Sequence, residues 1–129
     1  MTEQNWAPAV HAVTLVVSDL AASKAFYAAA FGAPVVFEDD DSVVFRFGEV
    51  LINLLARSAA DELLAPAEVG MAGDAPRIVF TVPVPDTDGY CRQLAERGIA
   101  LLNGPLTRPW GPRTASFADP DGHVWEIAS

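Results

Sequence analysis

The chain has 129 residues, 51% hydrophobic and 19% charged, which fits one folded domain and excludes both a disordered segment and a two-core protein. A net charge of −9 excludes nucleic acid as a partner, because that binding rests on neutralising phosphates with Lys and Arg; it favours a cationic small molecule instead. No apolar run approaches the roughly 20 residues of a membrane span, and the opening MTEQNWAPAV has no basic stretch followed by an apolar one. Cys91 is the single cysteine, so no internal disulfide is available and a reducing, cytoplasmic setting is expected.

In chain order, HAVTLVV at 11–17 is short and rich in β-branched residues and predicts a strand. Asp19 then caps a helical run, LAASKAFYAAAFG, with Phe26, Tyr27, Ala30 and Phe31 at helical spacing and Gly32 as the stop. PVVFEDDDSVVFRFGEVLINLLA reads as three strands, separated by the acidic turn Asp39–Ser42 and by Gly48-Glu49. A linker over 57–76, rich in Ala, Gly and Pro, holds one short helix at AADELLA. The pattern then repeats. RIVFTVPV is a strand, DTDGYCRQLAERG a helix closed by Gly98, IALLNGP a strand, and RTASFADPDGHVWEIAS two strands around the turn Asp119-Pro120-Asp121-Gly122. Cys91 falls inside the second helix and reads as a packing residue. Two βαβββ modules, about 9–56 and 77–129, predict a single pseudo-symmetric α+β domain with curved sheets around a cleft. Either half alone would leave a sheet face bare, so the halves must pack together or pair with a second chain.

HAVTLVVSDLAASKAFYAAAFG, with its strand, V-x-D-L turn and S-x-x-F-Y helix, resembles the opening of the vicinal oxygen chelate superfamily. RPWGPRTASFADPDGHVWEIA resembles its closing segment, with W-G, F-x-D-P-D-G and a following Glu. The resemblance spans roughly residues 9–128. That superfamily includes glyoxalase I, extradiol dioxygenases, fosfomycin-resistance transferases and bleomycin-resistance proteins. Its members are commonly homodimers, and its enzymes hold a divalent ion with His, Gln or Glu at four positions lining the cleft.

Carried over residue by residue, the resemblance places the first position seven residues before Asp19, on Ala12, and the second on Asn53. It places the third on Arg77 and the fourth on Glu126. Ala12 has no donor, Asn53 is a weak neutral one, and Arg77 repels a cation, so neither a metal nor another cofactor is expected. His11 and His123 are the imidazoles that a non-standard site would have to use, and strand alternation turns both away from the cleft. Glu126 is expected to pair with the Arg77 guanidinium. Phe37, Phe45 and Phe47 in the strands and Trp110 in the loop RPWGPR are aromatic candidates for a pocket, with Arg108 and Arg113 beside Trp110. The ligand-binding set is thus Phe45, Phe47, Asn53, Arg77, Trp110 and Glu126; Glu126 is the one candidate for a catalytic role.

Three functions compete. The first is a metal-independent homodimer that sequesters a cationic aromatic molecule, as the bleomycin-resistance branch sequesters antibiotics. The second is a metal-dependent lyase, thiol transferase or dioxygenase, which the ligand positions oppose. The third is an isomerase using Glu126 as base, which pairing with arginine would weaken.

Overall fold

The computed structural model describes residues 8–129. Module 1 contains β1 (Ala12–Val17), α1 (Leu20–Phe31), β2 (Val35–Glu38), β3 (Ser42–Phe47) and β4 (Val50–Ala56). A connecting helix, α2 (Arg57–Leu64), leads to module 2: β5 (Val79–Pro83), α3 (Thr87–Glu96), β6 (Asn103–Thr107), β7 (Arg113–Ala118) and β8 (Val124–Ala128). The sheets have the orders β1-β4-β3-β2 and β5-β8-β7-β6, so the expected repeat is the architecture. In each sheet the first and last strands of the module pair in parallel and the other pairs are antiparallel.

Local chemistry explains most boundaries. The Asp19 side chain accepts from the Ala22 N–H at 3.0 Å and starts α1; Gly32, left-handed at φ 62°, ends it. Asp39 Oδ1 accepts from the N–H groups of Asp41 and Ser42 and from the Ser42 hydroxyl, which fixes the β2–β3 turn and holds its carboxyl below the usual range. Two expectations need correction. The strand predicted over 99–105 begins at Asn103, with a register shift between Asn103 and Leu106. At that bulge, Gly104 (φ 87°) passes so close to β7 that a Cβ would lie 2.5 Å from the Thr114 carbonyl oxygen. The strand predicted from Arg77 begins at Val79, leaving Arg77 and Ile78 ahead of the sheet.

Both sheets turn an apolar face to one shared core. Leu15, Val17, Val43, Phe45, Ile52 and Leu54 come from module 1, and Ala115, Phe117, Trp125 and Ile127 from module 2. Phe31 of α1 stands 5.0 Å from Phe47 of β3 and 5.6 Å from Phe117 of β7, measured between ring centroids. Each of those strands is third from the free β1 or β5 edge of its sheet. Strands lie about 4.8 Å apart within a sheet, so one ring can reach both only if the sheets face each other across the helices. The direct approach of Phe47 to Trp125, at 5.4 Å, agrees. α1 and α3 are tied at the same level: the Tyr90 hydroxyl donates to the Ala30 carbonyl and Arg97 to that of Ala29. Cys91 is buried in this core, and burial pushes its thiol pKa up, as suits a packing residue.

One polar chain crosses the core. The Trp125 indole N–H donates to the Tyr27 hydroxyl at 2.9 Å, and that hydroxyl donates to Asp119 Oδ2 at 2.6 Å. All three residues are buried, and burial beside a carboxylate drives the Tyr27 phenol far above its ordinary pKa. Asp119 Oδ1 accepts from the N–H groups of Asp121 and His123, which shapes the turn that opens β8. Replacing Tyr27 by Phe removes one oxygen and leaves a buried indole N–H and a carboxylate lone pair without partners. Tyr27→Phe is therefore expected to lower unfolding free energy by about 2–4 kcal/mol in a denaturant titration. A change under about 0.5 kcal/mol would show that the chain is not what joins the modules.

Candidate functional site

Strand alternation assigns the sheet faces opposite the core. On module 1 these faces carry Ala12, Thr14, Val44, Arg46, Leu51 and Asn53; on module 2 they carry Val79, Thr81, Ser116, Val124 and Glu126. Because the core faces look toward each other, these outer faces look away from each other. Asn53 and Glu126 therefore do not meet across a cleft within one chain, and the two-module α+β fold stands as expected.

The modules match position for position on these faces. Thr14 of β1 is registered with Asn53 of β4, and Thr81 of β5 with Glu126 of β8. The Asn53 amide donates to the Thr14 hydroxyl at 3.3 Å, and the Thr81 hydroxyl donates to Glu126 Oε1 at 2.9 Å. Asn53 Oδ1 is buried and has no partner among the described residues. Each module thus centres its outer face on a threonine next to an oxygen acceptor. Two residues earlier, Ala12 is registered with Leu51, and Val79 with Val124. Val79 also stands seven residues before Asp86, at the N-cap position of α3, as Ala12 stands seven before Asp19. The structural counterpart of Ala12 is therefore Val79. Arg77, two residues earlier and outside the strand, was the wrong assignment.

This also corrects the expected ion pair. Arg77 is exposed with no side-chain partner among the described residues, and Glu126 is held by Thr81 rather than by a guanidinium. Counting to the cap residue of the second helix, as for the first, would have found Val79 in the sequence. A divalent ion would meet Ala12 and Val79, which have no ligand atom, Asn53, which is a weak donor, and one carboxylate. No cluster of three or more His, Cys, Asp or Glu able to hold a metal occurs among the described residues. The donor set does not fit a metal of this kind. His11 is exposed ahead of β1, and the His123 ring shares a 2.9 Å hydrogen bond with the Val16 carbonyl, so neither completes one.

The aromatic candidates separate in the same way. Phe45 is fully buried against Tyr27, and Phe47 packs on Phe31 and Trp125, so both belong to the core rather than to a ligand surface. Phe37 is registered with Val44, stands on the outer face of module 1 and is exposed. The bulge between Val35 and Phe37 resets its face, and a sequence pattern carries no signal for that. Trp110 is 73% exposed in the β6–β7 hairpin, with the Arg108 guanidinium 5.8 Å from its ring centroid. Arg108 also donates to Thr114 and Asn103, and Arg113 forms a two-pronged pair with Asp88 at 2.9 and 3.0 Å. That pairing holds the Asp88 carboxyl below its ordinary range and raises the Arg113 guanidinium, so Arg113 is not free to receive an anion.

The described residues also line a groove of about 350 Å3 between the modules, bounded by β1, α2, the 69–78 segment and the turn at 121–123. Thr14 borders it, but Asn53, Glu126 and Trp110 do not. No helix among the described residues is long and apolar enough to cross a membrane.

The sequence matches the family model "Glyoxalase/Bleomycin resistance protein/Dioxygenase superfamily" over residues 9–127, and the chain belongs to that superfamily. No curated protein sequence matches it significantly. Among solved structures it is similar to a glyoxalase-related enzyme from Fulvimarina pelagi, at 27% identity and a TM-score of 0.80 over 93% of this chain and 86% of that one. A glyoxalase/bleomycin resistance protein/dioxygenase from Nocardioides aligns with TM-score 0.84 at 23% identity, over 97% and 85% of the two chains. A lactoylglutathione lyase from Agrobacterium tumefaciens aligns with TM-score 0.72 at 24% identity, over 93% and 92%. At those last two identities the likeness concerns the fold.

If Glu126 and Arg77 are independent, Glu126→Gln orphans no buried cation. Unfolding free energy is expected to change by less than about 0.5 kcal/mol, with an equally small coupling to Arg77→Gln in a double-mutant cycle. A coupling above about 1.5 kcal/mol would restore the ion pair.

Proposed function

We propose that this chain is a metal-independent small-molecule binding protein that works as a homodimer. Its ligand lies between the module 1 outer face of one protomer and the module 2 outer face of its partner. The single observation that carries this reading is the donor set at the family's four positions. Ala12 and Val79 offer nothing to a cation, Asn53 offers an amide, and Glu126 is engaged by Thr81. The outward-facing sheets support a dimer: a two-walled cleft needs a second chain, and β1 and β5 each have a free edge.

Such a cleft would be lined by Thr14 and Asn53 on one wall and Thr81 and Glu126 on the other, with Phe37 and Arg46 farther out on module 1. Its central groups are hydrogen-bond acceptors, which suits a ligand bearing N–H donors or positive charge. The net charge of −9 adds long-range attraction for a cation. Trp110, exposed on its hairpin, is available to cover a flat ring. Sequestration of an aromatic antibiotic is one physiological role for such a site. A metal-dependent lyase would need ligands that these four positions do not supply.

The tests are metal analysis, light scattering and dye titration of the purified protein. The expected results are substoichiometric metal, a mass twice the 13.7 kDa of the chain, and tighter binding of the planar cation ethidium than of anionic anilinonaphthalene sulfonate. Added salt should weaken ethidium binding, and Trp110→Ala should weaken it at every ionic strength. Stoichiometric tightly bound zinc or nickel would overturn metal independence, and a monomer at micromolar concentration would overturn the shared cleft.

A further inference from the structure

We propose that the groove between the modules is a second binding site, and that it takes a small amphiphilic carboxylate. This site adjoins the inter-chain cleft at Thr14, which borders both, but its other walls are its own and it is present within a single chain. Its volume, about 350 Å3, is at the lower end of the roughly 300–1,000 Å3 usual for small-molecule sites. Its walls are mostly aliphatic: Val13 and Leu15 from β1, Leu64 from α2, Val69 and Met71 from the connecting segment, and Phe80 from β5. These side chains match an apolar body and offer no specific polar recognition of it.

The segment that roofs the groove is built in place. The Arg57 guanidinium donates to the carbonyls of Val69 and Gly70, and the Asp74 carboxylate accepts from the Met71 N–H at 2.7 Å. At the far end, the Gly73 N–H donates to the Asp121 carbonyl, and the Asp121 carboxylate accepts from the Ser18 N–H and hydroxyl. The groove is therefore bridged at both ends by hydrogen bonds between modules or within the roof.

Its charged residues are Arg57, Asp74, Arg77 and Asp121. The first two and the last have their partners. Arg77 is left with none among the described residues, although it lines the groove beside Ile78, which is 65% exposed. An apolar channel whose one unengaged charge is a guanidinium selects an apolar molecule with an anionic head. Arginine suits a carboxylate because its planar donors meet both oxygens. The chain's negative field opposes a bare anion, so the apolar body must supply most of the affinity; acetate should not bind.

The probe is decanoate, and the readout is the methyl signal of methionine-labelled protein, in which Met71 is one of two methionines. Decanoate is expected to shift the Met71 signal saturably, and acetate to leave it in place. Arg77→Gln should weaken decanoate binding by about tenfold, whereas Arg92→Gln, which removes an exposed charge on α3, should leave it unchanged. Three results would overturn the proposal: no shift with decanoate, equal affinity in Arg77→Gln, or equal binding of decyltrimethylammonium. A Met71 signal that moves with protein concentration and not with decanoate would assign the groove to contact between copies instead, which also overturns it.

Discussion

The Tyr27 hydroxyl is the point on which the rest of the molecule depends. It belongs to the helix of module 1, receives the indole N–H of a module 2 strand, and donates to the carboxylate that shapes the next turn. A buried polar chain is costly unless every member is satisfied, and here each donor has an acceptor of good geometry. Apolar rings alone would pack the modules together in several orientations. The chain fixes one of them, with Tyr27 wedged between Phe45 and Trp125. The motif F-x-D-P-D-G thereby has a structural meaning: Asp119 anchors the core, and Asp121 ties the same turn to Ser18 at the start of α1.

That orientation decides what the protein can do. With both core faces turned inward, the faces that carry Asn53 and Glu126 are turned outward, and in the proposed dimer each supplies half of a cleft. The same pseudo-symmetry that repeats the fold repeats the half-sites, Thr14 with Asn53 and Thr81 with Glu126. Both halves lack a ligand atom at the first position, Ala12 and Val79, and only Glu126 of the two second positions is a carboxylate. The functional reading therefore rests on side-chain chemistry at matched positions rather than on any one residue.

Much of this was legible in the chain. The β-branched runs, Asp19 and Gly32 as caps, the acidic β2–β3 turn and the Asp-Pro-Asp-Gly turn give the element order because each is a local signal. Four features were not local. Alternation within a strand says which residues share a face, but not whether two such faces look toward or away from each other; that depends on α1 reaching both sheets. The start of β5 at Val79 rather than Arg77 depends on pairing with Val124, and it removed an ion pair that charge alone made attractive. The aromatic residues of β3 alternate correctly for either face, and their burial is set by Phe31 and Trp125, distant in sequence. Phe37 reached the outer face through a bulge that no period-2 pattern contains.

Cross-linking tests the outward-facing arrangement most directly. In a Cys91→Ser background, Asn53→Cys and Glu126→Cys place one thiol on each outer face, and a short bismaleimide bridges thiols only where the faces meet. The account predicts a covalent dimer on a denaturing gel, diluted away when labelled with an excess of protein lacking both cysteines. A bridge formed within a single chain would contradict it, because the two faces would then share one cleft.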